Sequence, residues 1–94
     1  MTNYELMIII DPMLEEEQRN GVLEKVQGII AGAGELGETA VWGMRKLAYP
    51  IAKKADGFYA VIDFSAEEEF PKELDRRLRI SDDVIRHMII KKED

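Results

Sequence analysis

The sequence predicts an α+β domain of the ferredoxin-like type, βαββαβ, with a four-stranded antiparallel sheet and both helices on one face. Three observations predict it. Apolar periodicity gives the order strand, helix, strand, and that order occurs twice. No linker, low-complexity tract or tandem repeat interrupts the chain, so residues 1–94 read as one domain. A chain of 94 residues also supports only one small core, which one layer of helix on one sheet satisfies.

Each element has a local reason. Tyr4 to Ile10 is nearly all apolar, as expected of a central strand touching material on both faces, and Asp11-Pro12 ends it. From Leu14 to Ala33 the positions Val22, Leu23, Val26, Ile29, Ile30 and Ala33 recur at three and four, giving one buried helical stripe. Glu15, Glu16 and Glu17 suit the positive end of that helix dipole; consecutive helical residues fan round the axis, so they do not converge on a metal ion. Gly34 is the expected C-terminal cap. A second strand runs from Thr39 to Tyr49, where Pro50 closes it or marks a sheet edge. Lys53, Lys54 and Ala55-Asp56-Gly57 form the connection to a third strand, Phe58 to Phe64. Ser65 or Ala66 opens the second helix, with Glu67 to Glu69 near its start, Pro71 in the first turn, and Phe70, Leu74 and Leu78 on one face. Val84 to Lys91 is the last strand.

Helices on one face leave the other face of the sheet open. Asp63 does not suit a core, so Ala60, Ile62 and Phe64 are expected to face the helices, with Tyr59 and Val61 outward. The matching inward set on the first strand is Leu6, Ile8 and Ile10, which turns Met7 and Ile9 outward. An apolar cluster on an uncovered face marks a binding surface more often than an accident.

Composition excludes several classes. With no cysteine there is neither a disulfide framework nor a thiolate metal site, and the apolar runs are too short for a membrane span. The net charge of −6 argues against nucleic acid until its distribution is considered. Residues 1–38 carry eight acids against Arg19 and Lys25 and so hold the entire excess. Residues 39–54 carry Arg45, Lys46, Lys53 and Lys54 with no acid, and residues 76–92 carry Arg76, Arg77, Arg79, Arg86, Lys91 and Lys92 against Asp82 and Asp83. Adjacent Arg45 and Lys46 point to opposite faces of a strand, so at least one is offered to a partner or guards an edge against aggregation. Local basic ground surrounded by repulsive surface predicts an oriented, limited RNA contact.

Catalytic chemistry is poorly provided for. The one histidine, His87, is expected on the surface of the last strand. Val26-Gln27-Gly28 matches a short acylphosphatase element but falls inside the first helix without the arginine that grips phosphate. Gly32, Gly34 and Gly37 lack the strand-to-helix context of a phosphate loop. An RNA-recognition module has the same topology, and Asp56-Gly57-Phe58-Tyr59-Ala60-Val61 matches its third-strand motif at the glycine and Phe58 only. Asp56 stands where that motif has a cation and Ala60 where it has a ring. A ligand-sensing regulatory domain of the same fold is the non-nucleic-acid alternative.

Arg45-Lys46-Leu47-Ala48-Tyr49-Pro50-Ile51, continued by Ala52-Lys53, resembles the signature of the bacterial small-subunit ribosomal protein six family. Leu78-Arg79-Ile80 with Asp82 and Val84 resembles its helix-to-strand junction, and Arg86 to Lys92 its last strand; the likeness runs from Tyr4-Glu5 to Lys91-Lys92. The family commonly has arginine just before the Tyr-Glu pair, whereas Thr2-Asn3 stand here, which puts an N-terminal phosphate contact in question. The resemblance implies a ferredoxin-like fold, no enzymatic activity, no cofactor or metal, and a cytoplasmic place in the small ribosomal subunit. It also implies binding to the central domain of 16S rRNA as a heterodimer with small-subunit ribosomal protein eighteen, in building the platform. On that basis Arg45, Lys46, Arg79, Arg86, Lys91 and Lys92 are expected to touch RNA backbone, and Met7, Ile9, Trp42, Tyr59 and Val61 to include the partner surface. Trp42 suits a core position equally well. Ile9→Asp and Tyr59→Ala are expected to weaken the heterodimer and leave the isolated fold intact.

Overall fold

The computed structural model describes residues 1–51 and 54–92, with side chains described for all of these but 48–51, 54 and 55. Lys53 therefore lies outside the described residues, and the side chain of Lys54 does too. The elements in order are β1 (Thr2–Ile10), α1 (Glu16–Ala33), β2 (Glu35–Ile51), β3 (Lys54–Ala66), α2 (Phe70–Arg79) and β4 (Val84–Lys91). They form one antiparallel sheet of order β2-β3-β1-β4. The two central strands are thus β3 and β1, which explains why β1 is apolar on both faces.

Tyr4, Leu6, Ile8 and Ile10 of β1 join Ala60, Ile62, Phe64 and Ala66 of β3 beneath Leu23, Val26 and Ile30 of α1 and Leu74 and Leu78 of α2. These are the inward faces expected from alternation. Phe64 ties the layers together: its ring stacks on Tyr4 at 5.4 Å and meets Phe70 edge-on at 6.0 Å. Among the described residues the core holds no buried charged group.

Element ends differ from expectation where backbone packing decides them. Glu15 is the N-cap of α1, its backbone N–H donating to Gln18 Oε1 at 3.1 Å, and Glu16 and Glu17 fill the first turn. Gly34 ends α1 as expected, but in an extended conformation; glycine is needed because a Cβ would strike the Ser65 carbonyl oxygen. The chain then passes straight into β2 at Glu35, four residues before the expected start. At the other end β2 continues through Pro50 to Ile51, which the missing N–H of proline permits because β2 is an edge strand.

Asp56 and Gly57 are strand residues of β3, not loop, paired with Lys46 and Arg45. A Cβ on Gly57 would collide with the Ile9 side chain, so only glycine lets β3 pass over it. At its far end β3 runs on to Ala66, and α2 begins at Phe70 and not at Ser65 or Ala66. Glu67 to Glu69 therefore form the turn, closed by the Phe70 N–H donating to the Glu67 carbonyl at 3.0 Å. Within α2, hydrogen bonds from Arg76 and then Arg77 hold the Glu73 carboxyl at about 2, well below the usual carboxylate range.

His87 is not a surface residue. It lies on the helix side of β4, opposite Ile8, half-buried and 2.6 Å from Asp75 of α2. The reason is a bulge: Val84 pairs with Ile10 but Arg86 pairs with Ile9, so Ile85 is the extra residue and the alternation of β4 reverses there.

Candidate binding face of the sheet

Register fixes the open face row by row. Tyr59 and Arg86 flank Ile9, Val61 and Met88 flank Met7, and Asp63 and Ile90 flank Glu5. On β2, Arg45 stands opposite Gly57 and Ala40 opposite Val61. The face is consequently graded: cationic at the Arg45 and Arg86 end, apolar in the middle, acidic at the Glu5 and Asp63 end.

Trp42 and Arg45 share this face although they are three residues apart on a strand. Strict alternation would separate them. An irregularity between Val41 and Gly43 inserts one residue, and Gly43 takes φ +82° to make the bend. The indole then lies parallel to the Tyr59 ring, within 5° and with centroids 6.4 Å apart. Trp42 is therefore an outward residue, not a core one. A Cβ on Gly43 meets nothing, so the demand for glycine is purely conformational. Gly43→Val is expected to lower stability by about 1–3 kcal/mol, and Gly43→Asn by clearly less, in urea unfolding. Equal losses would show that the left-handed conformation is not what the bulge requires.

The five apolar residues expected on this side, Met7, Ile9, Trp42, Tyr59 and Val61, all lie on it. Their exposure is not as expected. Ile9 is only 5% exposed and Val61 is buried as well, because central-strand side chains are walled in by their neighbours. Ile9 fills the space left by Gly57, beside Leu47 and Tyr59. The accessible apolar surface is displaced to the edge strands, with Trp42 47% exposed, Met88 45% and Ile90 43%. Sequence reasoning missed Met88 and Ile90; the signal for them is their register with Met7 and Glu5, which the bulge at Ile85 hides.

The six expected cations divide into groups. Arg45 and Arg86 occupy one end of the open face, across Tyr59 and Ile9 from each other. Lys46 is exposed next to them, opposite Asp56. Lys92 is at the far end, 2.9 Å from Asp63, whose hydrogen bond raises the lysine above its usual range. Lys91 lies on the helix side of β4, opposite Tyr4 and 3.6 Å from Glu68. Arg79 is on α2, 2.6 Å from Asp75. The structure puts Arg45 and Arg86 at one end of the open face on opposite edge strands, with Lys46 adjacent to Arg45 in the register opposite Asp56, and leaves Arg79, Lys91 and Lys92 elsewhere, beside Asp75, Glu68 and Asp63. Among the described residues no cluster of three or more metal-ligating side chains occurs, and no helix is long and apolar enough to cross a membrane.

Residues 3–91 match the family model for Ribosomal protein S6. The chain belongs to the ribosomal protein S6 family. The small ribosomal subunit protein bS6 of Alkaliphilus oremlandii is 50% identical over 93 residues, covering 99% of each chain. That of Clostridioides difficile is 47% identical over 90 residues, covering 96% of this chain and 98% of its own. The crystal structure of 30S ribosomal protein S6 from Thermotoga maritima superposes with a TM-score of 0.92 at 34% identity, over 97% of this chain and 87% of that one. Membership in S6 makes the chain a structural protein of the small ribosomal subunit, a cytoplasmic complex, and not an enzyme. The ferredoxin-like order of S6 is the one described above.

Proposed function

We propose that this chain binds the central domain of 16S rRNA together with small-subunit ribosomal protein eighteen and so helps to assemble the platform. The observation that carries this reading is the graded open face, which sets Arg45 and Arg86, with Lys46 adjacent on the edge strand, beside an apolar band that no helix among the described residues covers. A chain of net charge −6 repels RNA as a whole, so a protein seated on the apolar band supplies the affinity that three local cations do not. Arg45 and Lys46, which make no ion pair among the described residues, neutralise phosphates directly, and Arg86 adds positive charge at the same end of the face. Arg79, Lys91 and Lys92 neutralise phosphates by exchanging Asp75, Glu68 and Asp63 for RNA, which makes them weaker contributors. The partner surface comprises Met7, Met88 and Ile90, laid over the buried Ile9 and Val61, with Trp42 and Tyr59 at its cationic border.

The third-strand stacking of an RNA-recognition module is not used, since Phe58 faces the helices with the Arg19 guanidinium 4.7 Å above its ring. The test is a salt series on the heterodimer with an rRNA fragment. Each phosphate neutralised contributes roughly 0.7 to 0.9 to the slope of log affinity against log salt. Arg45→Gln is expected to reduce that slope by about one phosphate's share and Lys91→Gln by much less. Affinity indifferent to salt would reject the phosphate role.

A further inference from the structure

We infer that Trp42, Tyr59, Arg45 and Lys46 form a site for a single unpaired RNA nucleotide, its base on the indole and its phosphate against the two cations. The site rests on the RNA-binding function proposed above and moves Trp42 and Tyr59 from the protein partner to RNA. These four residues line a shallow, open depression of 450 Å³ at the border of the open face, Lys46 from its position opposite Asp56 on the edge strand. The two rings are offset-stacked, with centroids 6.4 Å apart, and the indole, 47% exposed, keeps aromatic surface free for a third ring. Arg45 reaches the same depression because the Gly43 bulge turns it to the indole's side.

The chemistry selects the occupant. Neither Arg45 nor Lys46 makes an ion pair among the described residues, and the one acid in register with them is Asp56, opposite Lys46. Glu5 and Asp63 lie at the opposite end of the face. An aliphatic protein side chain would leave two cations unmatched, and a cationic one would be repelled. A flat aromatic group carrying negative charge satisfies both halves, and a nucleotide is that group. Stacking on an aromatic side chain tolerates any base, so the site fixes position along the RNA and not sequence.

Trp42 is the single tryptophan of the chain, so its emission reports the site directly. The full chain is titrated with hexa-adenylate RNA and with an abasic ribose-phosphate oligomer of equal length. Saturable quenching by hexa-adenylate and not by the abasic oligomer is expected, with Tyr59→Leu and Arg45→Gln each raising the midpoint roughly five-fold or more while the circular dichroism spectrum stays unchanged. Equal responses to both oligomers, or none, overturn the site. A second arm measures the heterodimer carrying Trp42→Leu on a 16S central-domain fragment. Unchanged affinity there overturns the nucleotide site and leaves rRNA binding standing, whereas failure of the unsubstituted heterodimer to bind would overturn rRNA binding itself. Loss of heterodimer formation by Trp42→Leu, with emission indifferent to hexa-adenylate, assigns the indole to the protein partner and likewise overturns the site.

Discussion

Ile9→Asp is expected to strip the fold of about 4 kcal/mol at neutral pH instead of leaving the isolated chain as stable as before and merely unable to associate. Ile9 faces the open side of the sheet, yet only 5% of it is exposed, because Tyr59, Leu47 and the space over Gly57 enclose it. A carboxylate placed there loses most of its hydration, and the methyl groups that filled the gap are gone. Charge burial and cavity formation together cost about 4 kcal/mol. The whole stability of a chain this size is roughly 5–14 kcal/mol, so the substitution removes a large part of it. Arg86, in register with Ile9, lies close enough to offset some of the charge but not the lost packing. Urea unfolding of the isolated chain measures the effect. A loss below about 1 kcal/mol would mean that Ile9 is accessible after all, and the original use of Ile9→Asp as a surface probe would be restored.

Met88→Glu should do what Ile9→Asp was expected to do. Met88 is 45% exposed on the edge strand β4, in register with Met7, so a longer polar side chain there reaches water without disturbing the core. Its cost to the isolated fold is within about 0.5 kcal/mol. In the heterodimer the same carboxylate would be pressed into the apolar band without a partner, and association should weaken by at least about 2 kcal/mol, roughly thirty-fold. Calorimetric titration of the partner protein with the variant measures this, with thermal unfolding of the variant alone as the control for folding. Unchanged association would remove β4 from the partner surface and confine that surface to β1, β2 and β3.

The two substitutions separate what alternation reveals from what it does not. On β1 and β3, Asp63 was enough to orient every neighbour, because those strands pair without interruption over nine positions. Facing outward is nevertheless not the same as being exposed, and only the flanking strands made Ile9 and Val61 buried. The intrachain partners of three cations were hidden for a related reason. Arg79, Lys91 and Lys92 look free along the chain, but Lys92 meets Asp63 and Lys91 meets Glu68 across more than twenty residues, pairings that exist only once β4 has joined the sheet.

By itself the sequence determined the order of elements, the inward faces of the central strands, the segregation of acid and base along the chain, and the family signature at Arg45 to Ile51. These depend on local periodicity and composition, which are properties of neighbours in the chain. Tertiary structure decided the faces of the two edge strands, where extra residues at Val41 to Gly43 and at Ile85 reverse the alternation, and it decided which cations are already matched. A bulge is a mismatch between two strands, and an ion pair is a meeting of two elements. Neither is a property of one strand alone, so the joining of Trp42 with Arg45, and of Met88 with Met7, becomes visible only when the strands are laid side by side.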